Sequence, residues 1–127
     1  MLEQLLNLKK RRERRLRQQL AAGNQRYERL RHSQKLLGSE RQELQQSWLR
    51  LVQEGRGKLA RERLHVIQRE LEEHFQRDKA LKEEIAAVEQ ECERWLKEKA
   101  ELQQCIQQVR IDQEKLEWIL SEGIDAY

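Results

Sequence analysis

Three histidines, two cysteines, a few acid pairs and one dense run of cations are the residues in this chain whose types could do chemistry. His32, His65 and His74 never stand at i, i+4, so no helix face offers the paired imidazoles of an HExxH-type zinc site. Cys92 and Cys105 are separated by about 20 Å of helix at 1.5 Å per residue, too far to bridge each other. Without a CxxC or a neighbouring His pair they read as small apolar filler at or beside a helix seam. Glu72-Glu73 and Glu83-Glu84 read as solvated helix surface, and neither a Gly-rich phosphate loop nor a GxSxG elbow occurs. The expectation is a protein that is not an enzyme, with no catalytic residue, no cofactor and no metal.

The cations are different in kind. Lys9–Arg17, KKRRERRLR, places seven of them in nine residues, a density that calls for an anionic receiver: nucleic acid, a membrane surface or an acidic protein. Residues 1–35 hold eleven Lys or Arg against three Glu, a balance of +8; the whole chain carries +3, so the remainder is at −5. A membrane-surface helix fits poorly, because Glu13 and the arginines surround the helix axis and leave no broad apolar face beside the charge. Leu30, Leu37, Leu44 and Leu51 form a ladder at sevens downstream of the run, as in a basic leucine zipper. LNLKKRRERR nevertheless lacks the paired Ala with which such a region reads base edges, and a zipper leaves the second half of the chain without a role.

The elements that must hold these cations follow from composition and period. At 39% charged residues the chain has too little apolar material for a layered core, and the absence of Pro together with abundant Leu, Glu, Gln, Arg and Lys favours helix. Alternate steps of four and three from Leu2 to Leu51 meet ten apolar residues in fifteen positions, interrupted at Lys9, Glu13, Gly23, Gln34 and Arg41. A second series from Leu64 to Leu120 meets thirteen in seventeen, interrupted at His74, Asp78, Lys99 and Gln113. A period of 3.5 sustained this long marks helices that supercoil about a partner.

Gly55 and Gly57 coincide with the lost period and mark the turn. The chain is therefore read as one all-α, two-helix antiparallel coiled-coil hairpin: a helix over about 2–53, a turn over about 54–58, a helix over about 59–122 and a short tail. Folding about residues 55 and 56 sets Leu44 against Ile67, Leu30 against Leu81, Leu16 against Trp95 and Leu2 against Val109, each apolar on apolar. It also lays the basic first arm against residues 70–101, which hold eleven acids and six bases, and leaves Ile111 to Tyr127 overhanging as a docking surface. Gly23, and Gly38 with its Ser39/Gln42 capping-box pattern, mark two places where the first helix could break. MLEQLLNL is too short an apolar run for a signal peptide and no stretch reaches spanning length, which points to the cytoplasm.

The opening reads E-x-L-L-x-L-x-x-R-R-E-x-x-L-R-x-x-L, carried by Glu3, Leu5, Leu6, Leu8, Arg11, Arg12, Glu13, Leu16, Arg17 and Leu20, and the close reads EKLEWILSEGIDAY. Both ends resemble the small stalk proteins of bacterial type III secretion, called YscO in injectisomes and related to FliJ of the flagellar export apparatus. The tail departs from a Ser-Asp-Ala-Tyr-like ending at Gly123 and Ile124. The resemblance implies a hairpin like the coiled coil of the rotary ATP synthase gamma subunit. Its open end would enter the pore of the hexameric export ATPase and its turn would face the membrane export gate. Carried onto this chain, the ATPase contacts are Leu5, Leu6, Arg11, Arg12, Arg15, Trp118, Ile119 and Leu120. The gate contacts are Trp48, Leu49, Leu51, Val52 and Leu59, with Trp48 and Leu51 also lying on the seam. The family implies a bacterial cytoplasmic protein, peripheral to the inner-membrane export apparatus, that binds no nucleic acid and does not insert into membrane, with secretion chaperones as further partners. The alternatives are a basic leucine-zipper-like nucleic-acid binder and a generic coiled-coil scaffold or chaperone escort.

Overall fold

A computed structural model describes residues 1–56 and 60–123. Two helices hold nearly all of them, α1 over Leu2–Glu54 and α2 over Ala60–Ser121, paired as an all-α antiparallel helical hairpin. No strand occurs among the described residues. α1 runs unbroken through Gly23 and Gly38, so neither glycine ends it. At the far end of α2 the amide of Gly123 donates to Leu120 O (3.3 Å), and Gly123 takes φ +69°, the left-handed position that stops a helix. Gly55, expected to play that part for α1, stays out of the left-handed region; its amide still donates to Leu51 O at 2.9 Å. Gly57, the second expected turn glycine, lies outside the described residues.

The seams face inward as their period requires. Of the fifteen positions stepped from Leu2 to Leu51, only Trp48 is exposed, with Ser47 half-buried beside it. In the second series only Leu64 is exposed. The buried core belongs to α2: Ile67, Leu81, Cys92, Trp95, Ile106, Val109 and Leu116.

The chain forms two compact units. The open-end unit joins Met1–Glu28 to Glu93–Tyr127, and the turn-side unit is Arg29–Cys92. In the open-end unit the Trp95 ring lies against Gly23, so closely that a Cβ there would fall inside the indole. Toward the start of α1 this apolar layer gives way to a polar one. Lys9 Nζ meets Asp112 Oδ2 at 3.2 Å, and Gln113 Nε2 donates to Glu13 Oε1 at 3.1 Å. Glu13 Oε2 in turn accepts from Arg17 Nε at 3.0 Å. In the turn-side unit Arg41 Nε donates to Asp78 Oδ1 at 2.9 Å and Arg77 Nε to Glu40 Oε1 at 3.1 Å, while Arg63 pairs with Glu54 beside the turn.

These pairs correct the expected register. The two residue numbers of a cross-helix pair sum to 117 for Glu40–Arg77, 119 for Arg41–Asp78, 121 for Lys9–Asp112 and 126 for Glu13–Gln113, where folding about 55 and 56 requires 111. The helices are therefore offset by roughly one heptad or more from that expectation. Leu44 does not face Ile67, nor Leu16 Trp95; the partner of Trp95 is Gly23. The overhang shrinks with the shift, because Asp112 and Gln113 are held to Lys9 and Glu13 and Leu116 is buried. Residues 111–117 lie alongside α1 rather than beyond it.

The polar layers carry a pH dependence. Asp78 is held below the ordinary aspartate range, chiefly by the Arg41 hydrogen bond and against the opposing effect of desolvation. Glu13 is lowered first by Arg17, and Asp112 first by Lys9. Because these folded values are depressed, their stabilisation is complete above the unfolded carboxylate range and is lost as pH falls through the folded values. The thermal midpoint followed by circular dichroism should stay level down to about pH 5 and drop below about pH 4. Asp78→Asn should flatten that drop, and a midpoint indifferent to acid would contradict the layers.

Candidate functional site

The cationic run sits on the outward half of α1. Lys9, Glu13 and Leu16 follow the seam and turn toward α2, so Lys10, Arg11, Arg12, Arg14 and Arg15 fall on the solvent side at 100° per residue, and all five are exposed. None of the five has an ion-pair partner among the described residues. The cross-helix pair between α1 and the acid-rich residues 70–101 that is seen, Arg41 with Asp78, lies in the turn-side unit and not at the run. In the observed register the run lies alongside residues of about 102–116, a stretch containing Gln103, Gln104, Gln107 and Gln108, two acids (Asp112, Glu114) and two bases (Arg110, Lys115), of which Asp112 meets Lys9.

Apolar side chains accompany it in the same unit. Of the expected ATPase contacts, Leu5, Arg11, Arg12, Arg15 and Trp118 (59% exposed) are open to solvent, whereas Leu6, Ile119 and Leu120 are half-buried, so part of each is already covered within the unit. Leu8 (58% exposed), Lys10 and Arg14 share this exposed surface and were not among the expected contacts. Their signal was present in the sequence: each stands off the seam, one to three residues from a member of the expected set.

In the turn-side unit Trp48 and Leu49 are exposed, Leu51 and Val52 half-buried, and Leu59 lies outside the described residues. Trp48 is the expected α1 seam residue that the structure turns outward. It walls a groove whose floor includes Leu44 and Leu71 and whose opposite wall is Phe75, 63% exposed. Phe75 went unnoticed in the sequence because its neighbours His74 and Asp78 both belong to the seam and drew the pattern past it.

The remaining reactive side chains are dispersed. Among the described residues no three His, Cys, Asp or Glu gather as a metal would need. Cys92 and Cys105 are free thiols, the first buried and the second exposed. His74 Nδ1 lies 2.7 Å from Glu70 O, one turn back on its own helix. Among the described residues no helix is long and apolar enough to cross a membrane. Comparison with protein-family models, with curated proteins and with solved structures finds no match.

Proposed function

We propose that this chain is the central stalk of a bacterial type III secretion system, of the YscO and FliJ kind, working in the cytoplasm against the inner-membrane export apparatus. Its open-end unit enters the pore of the hexameric export ATPase and stimulates it, and its turn-side unit links the ATPase to the export gate. The observation that carries this reading is the set of five outward cations on α1 without ion pairs among the described residues, in the unit that also exposes Leu5, Leu8 and Trp118. A helix pair that satisfies its own seams but leaves this much charge uncompensated is suited to an acidic ring lumen, where charge guides entry without imposing one register. Two dissimilar helices inside a six-fold ring touch only some subunits at a time. The difference in affinity among subunit states is the coupling free energy by which such a stalk acts.

The zipper reading is weakened by the same packing. Leu30, Leu37, Leu44 and Leu51 are half-buried within the turn-side unit, where a parallel zipper needs them free for a second copy.

The test is a mixing experiment with the purified hexamer and no nucleic acid. The stalk should raise ATP turnover. Arg11→Glu with Arg12→Glu should weaken binding by about tenfold or more, with the loss greatest at low salt. Far-UV helicity should be unchanged, since both side chains are exposed. Unaltered binding by that variant, or steeply salt-dependent binding to duplex DNA in place of turnover, overturns the assignment.

A further inference from the structure

The groove between Trp48 and Phe75 is open on the turn-side unit and owes nothing to the cationic run. Its floor, including Leu44 and Leu71, is apolar, and its two aromatic walls stand roughly half exposed on different helices. Trp48 follows Leu44 by four residues and Phe75 follows Leu71 by four, so each helix contributes one apolar step of a single turn. That is the outline of a slot between two helices into which a third lays its own apolar row. Solvent-exposed aromatics gathered on such a slot are unfavourable unless something covers them, and Trp and Phe are the side chains that anchor interfaces.

Charge narrows the occupant. The residues lining the groove include two carboxylates and no Lys or Arg. Asp78 is already answered by Arg41 and Lys82. Glu72 accepts only the Gln76 amide, at 3.0 Å, and has no ion-pair partner among the described residues. A groove with an unanswered carboxylate at its edge selects a cationic partner. It also disfavours a second copy laid groove to groove, which would bring two Glu72 side chains toward each other.

We infer that this groove is a docking site for an amphipathic helix of a partner protein, one that carries leucine-type anchors at i, i+3 and i+7 and Lys or Arg beside them. The Trp48 and Phe75 rings clasp the apolar row, and Glu72 receives the flanking cation. The inference uses no residue of the open-end unit; it shares Trp48 with the residues carried to the export gate, but its test needs neither ATPase nor gate, so the two readings fail separately.

The probes are two synthetic amphipathic helices, one with leucine anchors flanked by lysine and the other with the same anchors flanked by glutamate. Each is titrated calorimetrically into the full-length protein. The lysine-flanked helix should bind saturably, and the glutamate-flanked helix at least about tenfold more weakly. Phe75→Ser should reduce binding of the lysine-flanked helix by about tenfold or more. Val66→Ser, at an exposed apolar position away from the groove, should leave it unchanged. Glu72→Lys should invert the preference between the two helices. Phe75 and Glu72 are both exposed, so circular dichroism should report the same helicity for every variant. The proposal falls if neither helix saturates, if both bind alike, or if Phe75→Ser and Val66→Ser behave the same. It falls equally if sedimentation reveals a dimer that Phe75→Ser dissociates, which would make a second copy the occupant.

Discussion

Leu81→Ala should lower the unfolding free energy by about 3 kcal/mol, the mid-range cost of emptying a leucine site that cannot collapse. Leu81 is 0% exposed, the one large side chain among the described residues that is wholly enclosed. A two-helix pairing has no third layer to move in and fill the void, so lost transfer energy and cavity cost both apply. Leu36→Ala is the control: Leu36 is exposed on α1, and its loss should stay within about half a kcal/mol. Urea denaturation separates the two variants. Hydrogen exchange should localise the damage to amides of the turn-side unit, because local opening follows local packing. A Leu81→Ala loss as small as that of Leu36→Ala would mean that the two helices do not enclose this position in solution.

Two substitutions of glycine by alanine should have opposite signs. Gly38 has open space where a Cβ would go, so Gly38→Ala gains helix propensity, up to about 1 kcal/mol. Gly23→Ala gains the same propensity, but its methyl would occupy the Trp95 indole. Trp95 is buried and cannot swing aside as an exposed chain end would. Overpacking of that kind costs about 1–3 kcal/mol, so the net effect is destabilising. Trp95→Leu in the Gly23→Ala background should recover much of the loss, giving a favourable coupling in the double-mutant cycle. Thermal melts of the four proteins test this. A stabilising Gly23→Ala would show that the indole does not rest there.

The helices and their inward faces were legible because the 3.5 period is a local property repeated many times, and repetition averages out single interruptions such as Gly23 or Arg41. The register was not, and the cause is specific. Leucine seams match at any offset of one heptad, so apolar-on-apolar pairing is degenerate. What breaks the degeneracy is the polar residues standing in the seams. Arg41 belongs opposite Asp78, and Lys9 and Glu13 belong beside Asp112 and Gln113. A slip to the expected offset would set Arg41 near Glu70 and Asp78 near Ser33, and so separate the observed pair. The Arg41–Asp78 pair is partly exposed and adds less than about 1 kcal/mol to stability. Polar residues standing in a seam favour one offset over others in coiled coils, and this pair belongs to the observed one. The exposed partners Leu8, Arg14 and Phe75 were within reach of helical geometry, but a motif reading favours residues that repeat, and interaction surfaces lie off the repeat.

One tryptophan is buried and two are exposed, which makes the protein its own optical instrument. Trp95 is buried, and its Nε1 has no hydrogen-bond partner, whereas Trp48 and Trp118 stand in water. The buried indole therefore emits to the blue of the other two, and its proton exchanges with solvent only when the helices around it part. With Trp48 in the turn-side unit and Trp95 in the open-end unit, emission from the first reports a visitor at the groove while exchange at the second times the breathing of the end that carries the cations. Both signals can be read from the unlabelled protein.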